Sequence, residues 1–224
     1  MESRPLIAII GGTGALGVGL ARRWAAAGYA VLLGSRSRDK AEAAARLIEP
    51  TNEGPAVQGM DNLSAAQAAD IVVLAVPFAN HDSVLDEIRD LVSGKIVVDA
   101  VVPLVPPKVS VAQLPALGSA GAIADARLGD RARVVSAFHN VSASKLQQSG
   151  VIDCDVLVFG NDPEARDIVI ALAEALGTRG IDGGPIANAV AAEALTAILI
   201  GINKRYKVKG AGIRITGFGA ASSA

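Results

Sequence analysis

Residues 6–17, LIAIIGGTGALG, constrain the fold more than any other part of the chain. Five apolar residues read as a short buried strand. Gly12-x-Gly14-x-x-Gly17 then opens a helix that continues through Trp24. Strand, glycine turn and helix start together make an anion site. The glycines permit the tight turn and let the backbone approach a pyrophosphate, and the free N–H groups of the first helical turn bind it. The spacing alone is a weak signal, but its place after a strand and before a helix is the context a dinucleotide site requires. Gly12, Thr13, Gly14, Ala15, Leu16 and Gly17 are therefore candidate cofactor-binding residues.

The same alternation continues along the chain. Apolar strand-like runs at 30–34, 70–77, 95–99, 133–138 and 155–160, with short strands at 56–59 and 179–182, alternate with helical stretches. The helical stretches fall at 39–48, 64–69, 82–91, 142–148, 163–176 and 188–206, with Ser64 and Ser142 as expected caps and Pro163 at a first helical position. Near-continuous apolar strands separated by helices indicate a parallel sheet covered on both faces. Right-handed crossovers then make it doubly wound. The expected fold is α/β, a Rossmann-type doubly wound, mostly parallel sheet with a small C-terminal helical extension. Residues 1–184 would form the nucleotide-binding domain, and 185–224 would complete the substrate cleft and make a dimer contact. Residues 50–55 read as a loop and 210–224 as a loose glycine-rich tail. Residues 101–130 read as a long binding loop with a short helix near 124–128.

Composition excludes several classes of partner. With 21 basic and 22 acidic residues there is no basic field for nucleic acid or an anionic membrane. Cys154 is the only cysteine, which rules out an internal disulfide and reads as a small buried hydrophobe. Two histidines and one cysteine at no ligand spacing argue against a metal site. The longest apolar run, 195–202, lies between Glu193 and Lys204 and falls short of a membrane span. Residues 1–5 leave no room for a signal peptide before the first strand. A cytoplasmic chain with small-molecule partners is expected.

The tip of the second strand selects the cofactor. An acidic residue there would accept from the ribose 2′-OH of NAD, whereas an arginine suits the 2′-phosphate of NADP. The chain has Gly34-Ser35-Arg36 with Lys40 one turn into the next helix, so NADP(H) is expected on Ser35, Arg36 and Lys40. Val76 and Pro77, ending the fourth strand, could form a dry wall against the nicotinamide. The sixth strand delivers His139 and Asn140 to the same sheet edge, where histidine could act as donor, acid or stacking partner. By spacing alone, a structural role for His139 and a simple strand stop for Pro77 remain open. The apolar helix after Asn188 reads as core plus interface. No nucleophile pattern is present.

Four segments together carry a resemblance: Gly11-Gly12-Thr13-Gly14-x-x-Gly17, Gly34-Ser35-Arg36, residues 136–143 (SAFHNVSA), and Gly184-Pro185-Ile186-Ala187-Asn188 followed by Glu193-Ala194-Leu195-Thr196. Over nearly its whole length the chain resembles the NADPH-dependent reductases of coenzyme F420, the F420-dependent NADP oxidoreductases. The resemblance implies reversible hydride transfer between NADPH and an 8-hydroxy-5-deazaflavin, within a homodimer. It implies NADP on Thr13, Gly14, Ala15, Leu16, Ser35, Arg36 and Lys40, with Val76, Val102 and Ala143 bordering the nicotinamide. The deazaflavin would lie near His139, Val141 and Ile213, with His139 as the catalytic residue and Asn140 beside it. Both redox partners bring their own chemistry, so the protein mainly has to align two rings. The chain differs from the family pattern at Ala15, Phe78 and Asn140. A flavin, pterin or small-imine acceptor on the same fold, or a non-catalytic NADP sensor, are the alternatives.

Overall fold

The computed structural model describes residues 4–49 and 55–218. One eight-stranded sheet is built from β1 (Ile7–Ile10), β2 (Val31–Ser35), β3 (Gln58–Asp61), β4 (Ile71–Leu74), β5 (Ile96–Asp99), β6 (Arg133–Ser136), β7 (Asp155–Gly160) and β8 (Arg179–Gly184). Its helices are α1 (Ala15–Ala26), α2 (Arg38–Arg46), α3 (Asn62–Ala68), α4 (His81–Ile88), α5 (Ala120–Leu128), α6 (Ala143–Leu146), α7 (Pro163–Ala175) and α8 (Ala189–Tyr206). The spatial order is β3-β2-β1-β4-β5-β6-β7-β8. The chain winds outward from β1 to β3 and then returns to add β4 on the other side of β1. This is the doubly wound arrangement, and its switch point lies between β1 and β4.

The strands are apolar on both faces because both faces are covered. Ile7, Ile9, Leu33 and Val73 point into one layer with Leu20 and Trp24 of α1 and Val169 and Leu172 of α7. Ala8, Ile10, Val72 and Val97 point into the other with Leu85 and Ile88 of α4 and Leu128 of α5. Each fully buried Val, Leu or Ile contributes about 1.5–3 kcal/mol. Trp24 anchors the first layer, its indole N–H donating to the Leu172 carbonyl at 2.9 Å.

The β6–β7 pair is antiparallel, with Val135 opposite Gly160 and Ser136 opposite Phe159. The link between them carries only the four-residue α6, which stays at the carboxyl edge beside the start of α1. The chain therefore re-enters the sheet from the edge it left. That puts the start of β7 near the end of β6, where the Cys154 thiol meets the Asn140 carbonyl at 3.5 Å.

Several boundaries differ from expectation for local reasons. Asp61, not Ser64, caps α3: its carboxylate accepts the Ser64 N–H at 2.9 Å, so the helix starts at Asn62 and β3 runs to Asp61. The expected loop before residue 124 is helical from Ala120. Its first turn is held by the Ser119 hydroxyl and, from outside the segment, by Glu193. Ser142 precedes α6 without a side-chain cap bond, because its hydroxyl pairs with that of Ser144. Residues 50–54 and 219–224 of the expected loop and tail lie outside the described residues.

The span 186–206 also needs correction. Within the segment Ile186–Tyr206 an 18-residue window reaches a mean hydropathy of 1.6, so the segment is long and apolar enough to cross a membrane by length and composition. Counting only the uninterrupted run 195–202 overlooked this. Glu193 breaks the run, but its carboxylate is buried against the backbone of α5.

Candidate functional site

A cleft of about 660 Å³ opens at the carboxyl ends of β1, β2, β4 and β5, over the switch point. In open α/β sheets this is where ligands bind. Thr13, Gly14, Ala15 and Leu16 form one end, with Ser35 and Arg36 beside them. Val76, Pro77 and Phe78 form one apolar wall, and Val101, Val102 and Leu104 the other.

The start of α1 is chemically prepared for an anion. Gly14 precedes the helix with no side-chain cap bond, and no acidic residue occupies the first turn. Three helices are capped by side chains, α3 by Asp61, α7 by Asp162 and α5 by Ser119 together with Glu193, whereas α2 and α4, which lack a side-chain cap, carry Asp39 and Asp82 in their first turns. The partial positive charge of α1 is thus left facing the cleft. The glycines divide into two roles. A Cβ on Gly17 would lie 2.5 Å from the Gly12 Cα, and one on Gly12 would lie 2.7 Å from the Ile9 carbonyl oxygen. Those two glycines serve the turn's own packing. A Cβ on Gly14 would meet nothing nearer than the Gly11 carbonyl oxygen at 3.9 Å, so nothing in the protein demands its absence. That residue borders the cleft and leaves room for a ligand to approach the backbone.

The remaining expected residues sit at different depths. Arg36 is exposed at the cleft end and makes no ion pair among the described residues. Lys40 is exposed on α2, outside the lining. His139, Asn140 and Val141 are buried beneath the carboxyl edge rather than in the cleft lining. The Asn140 side chain donates to the Ala192 carbonyl at 3.2 Å, and Thr196 donates to the His139 carbonyl at 2.9 Å, so α8 holds this turn. Phe138 enters it with φ +69°, a left-handed conformation uncommon for a bulky side chain, and packs edge-on against Trp24. Ala143 is half-buried at the start of α6. Ile213 is half-buried on the tail, its carbonyl accepting the Asp155 N–H at 2.8 Å.

The comparisons with known proteins bear on this arrangement. The family model described as "NADP oxidoreductase coenzyme F420-dependent" matches residues 6–103. The F420-dependent NADP reductase of Methanocaldococcus jannaschii is 39% identical over 219 residues, covering 94% of this chain and 97% of that protein. The reductase of the same name from Methanothermobacter thermautotrophicus is 41% identical, covering 94% of each. The chain belongs to the F420-dependent NADP oxidoreductase family. A solved Arthrobacter sp. FB24 protein, provisionally named an F420-dependent NADP-reductase, superposes with a TM-score of 0.78 at 28% identity, covering 96% of this chain and all of that one.

In this member of the F420-dependent NADP oxidoreductases, the sequence reading missed a buried polar network and Asn62. Asn62, the first residue of α3, lines the cleft and accepts the Gly11 N–H at 3.4 Å. It escaped notice because β3 was ended two residues too early. The network begins with His81 and Asp99, both fully buried, whose Nε2 and Oδ2 lie 2.7 Å apart. The Asp99 carbonyl lies 3.2 Å from His139 Nε2, which also meets Ser136 Oγ at 3.2 Å. Ser136 in turn donates to Glu193 at 3.2 Å. Burial pushes the His139 pKa down to about 4, so its ring is neutral near pH 7. Burial also raises Glu193 to about 7, against the pull of the Gly121 and Ala120 N–H groups. For His81, burial acts downward, but the Asp99 carboxylate outweighs it and holds the imidazole above its ordinary range. A histidine or acid at the end of a predicted strand was the available signal, and only His139 was read that way.

Proposed function

We propose that this chain catalyses reversible hydride transfer between NADPH and coenzyme F420. The observation that carries this reading is one continuous cleft joining an uncapped helix start to two apolar walls, in a member of this family. The N–H groups of Ala15 and Leu16 bind the pyrophosphate, with Gly14 leaving room for it. Ser35 and Arg36 hold the 2′-phosphate, and Lys40 adds positive charge nearby. Val76, Pro77 and Val102 exclude water from the nicotinamide. NADPH supplies the hydride and the deazaflavin accepts it. The protein's part is alignment: His139, Asn140 and Val141, buried beneath the carboxyl edge, support the acceptor side from behind, and the half-buried Ala143 and Ile213 border it.

A homodimer completes the reading. Ile198 of α8 is 52% exposed, and Val111, Leu114 and Leu117 of the loop before α5 are 54%, 60% and 55% exposed. The two segments are neighbours: Gly118 lies against Val190, and Gly201 against Ser110. Together they form one apolar face that a second copy would cover. Residues 185–224 thus serve both the acceptor side and the interface. We place the protein in the cytoplasm, where a nicotinamide pool supplies the reaction.

The test is NADPH oxidation by the purified chain with F420, with flavin mononucleotide, and with no acceptor. Turnover with F420 alone is expected. Arg36→Ala should weaken NADPH binding by about 1.5–3 kcal/mol, the worth of a hydrogen bond to a charged group, while leaving NADH binding unchanged. Turnover with flavin alone, NADPH binding without any turnover, or a wild-type preference for NADH would overturn the reading.

A further inference from the structure

The contacts around Asp99 form a device that the reading above does not use. The apolar end of the cleft has two walls, one following β4 and one following β5. Both walls are chain segments that have left the sheet. Two rings can exchange hydride only when their reacting carbons are held near contact distance, so the spacing of these walls matters to catalysis.

Asp99, the last residue of β5, touches both. Its Oδ1 accepts the Val101 N–H at 2.9 Å, fixing the turn that leads into the second wall. Its Oδ2 meets Nε2 of His81 at 2.7 Å. His81 begins α4 directly after the short turn Phe78–Asn80 of the first wall, and the Phe78 ring stacks over it at 6.0 Å and 25°. Both side chains are fully buried. An apolar pair of similar volume would pack without the desolvation cost of two ionisable groups, so stability alone is a poor reason for the pair. What the pair adds is a directional link between two loops.

The geometry points to Asp99 as the positioning residue of hydride transfer, with His81 as its lock, the two together setting the spacing between the Val76–Pro77 wall and the Val101–Val102 wall. This rests on the reading of the cleft as the NADP site. Neither side chain is a catalytic residue, because neither lines the cleft. The phosphate end, from Gly11 to Arg36, shares no hydrogen bond with them among the described residues. Loosening the pair should therefore disturb ring alignment while leaving nucleotide affinity in place.

The experiment compares wild type, His81→Leu, Asp99→Asn and His81→Gln, the last keeping an amide N–H where Nε2 stands. NADPH affinity is titrated by fluorescence. The single-turnover rate of F420 reduction and the steady-state turnover are each measured with NADPH and with its C4-deuterated form. In His81→Leu and Asp99→Asn the rate should fall about tenfold or more, since small misplacements cost that much, and NADPH affinity should hold within about threefold. The isotope effect on steady-state turnover should grow as hydride transfer becomes more limiting, and His81→Gln should recover most of the rate. A rate per NADPH-binding site that stays unchanged while the melting temperature drops would overturn the inference, leaving a packing role only. So would parallel loss of affinity and rate, or no recovery in His81→Gln. If His81→Leu yields no NADPH-binding protein, Asp99→Asn decides. A wild-type chain that binds NADPH but passes no hydride to F420 would overturn the functional reading itself, and this inference with it.

Discussion

Two glycines three residues apart, Gly14 and Gly17, make different predictions. Gly17→Ala forces a Cβ to 2.5 Å from the Gly12 backbone, so the protein should lose about 1–3 kcal/mol and melt earlier. Gly14→Ala meets no such obstacle, so its melting temperature should stay within a degree or two while NADPH binding weakens. Calorimetry and titration of both variants separate the two roles. Glu193 and His139 make opposed contributions to stability with pH. Glu193 is raised from 4.5 to about 7, so the folded state holds the proton more tightly and stability falls as pH rises across that window. His139 is lowered from 6.5 to about 4, so stability rises with pH across that range. Where the windows overlap the two slopes offset each other. In Glu193→Gln, unfolding free energy between pH 4.5 and 6.5 should climb more steeply than in wild type, by at most about 1.4 kcal/mol per pH unit. Denaturant melts at four or five pH values check it, and an unchanged slope would count against it.

At the scale of elements, α6 is too short to be stable alone. It is held by Arg23 from α1, whose guanidinium donates to the carbonyls of Leu146 at 3.2 Å, Gly150 at 2.6 Å and Leu176 at 3.1 Å, and to that of Gln148. One side chain thus gathers orphan carbonyls from α6, the following loop and the end of α7. Replacing it with methionine keeps the stem and removes the donors. Arg23→Met should destabilise the fold by about 1–3 kcal/mol. Amide exchange across 143–152 should quicken more than exchange in β1 or β4. Uniform protection across these regions would refute that assignment. The strands and the longer helices were readable from sequence because their signals are local: apolar runs, Gly177 after α7, Pro163 at its start. The start of α5 was not readable, because the group that satisfies its N–H donors is Glu193, more than seventy residues away.

For the whole molecule, the apolar face of α8 and the 105–117 loop predicts association. Light scattering on the wild type should give twice the chain mass, and Ile198→Asp should shift it toward the monomer, because burying an unpaired carboxylate in that face is costly. A monomeric wild type at micromolar concentration would remove the interface. The cleft belongs to this scale too. Gly14, Ser35, Arg36, Val76 and Val102 lie on four separate segments. Gly14 was found by its glycine spacing, Ser35, Arg36 and Val76 by their place at the ends of parallel strands, and Val102 only through the family resemblance. Asn62 joins them only through the sheet order, which sets β3 beside β2.

The doubly wound sheet, the glycine turn before α1 and the side chains at the tip of β2 were legible in the sequence, because period, glycine spacing and strand ends are properties of neighbouring residues. Tertiary structure alone decided that His139 lies beneath the edge, that α8 supplies Glu193 to α5, and that Asp99 meets His81. These depend on burial and on partners brought from distant segments, and burial is what sets the charge of such groups. A polar residue in an apolar stretch reads the same in sequence whether it is solvated, catalytic or locked inside; only its neighbours in space tell these apart.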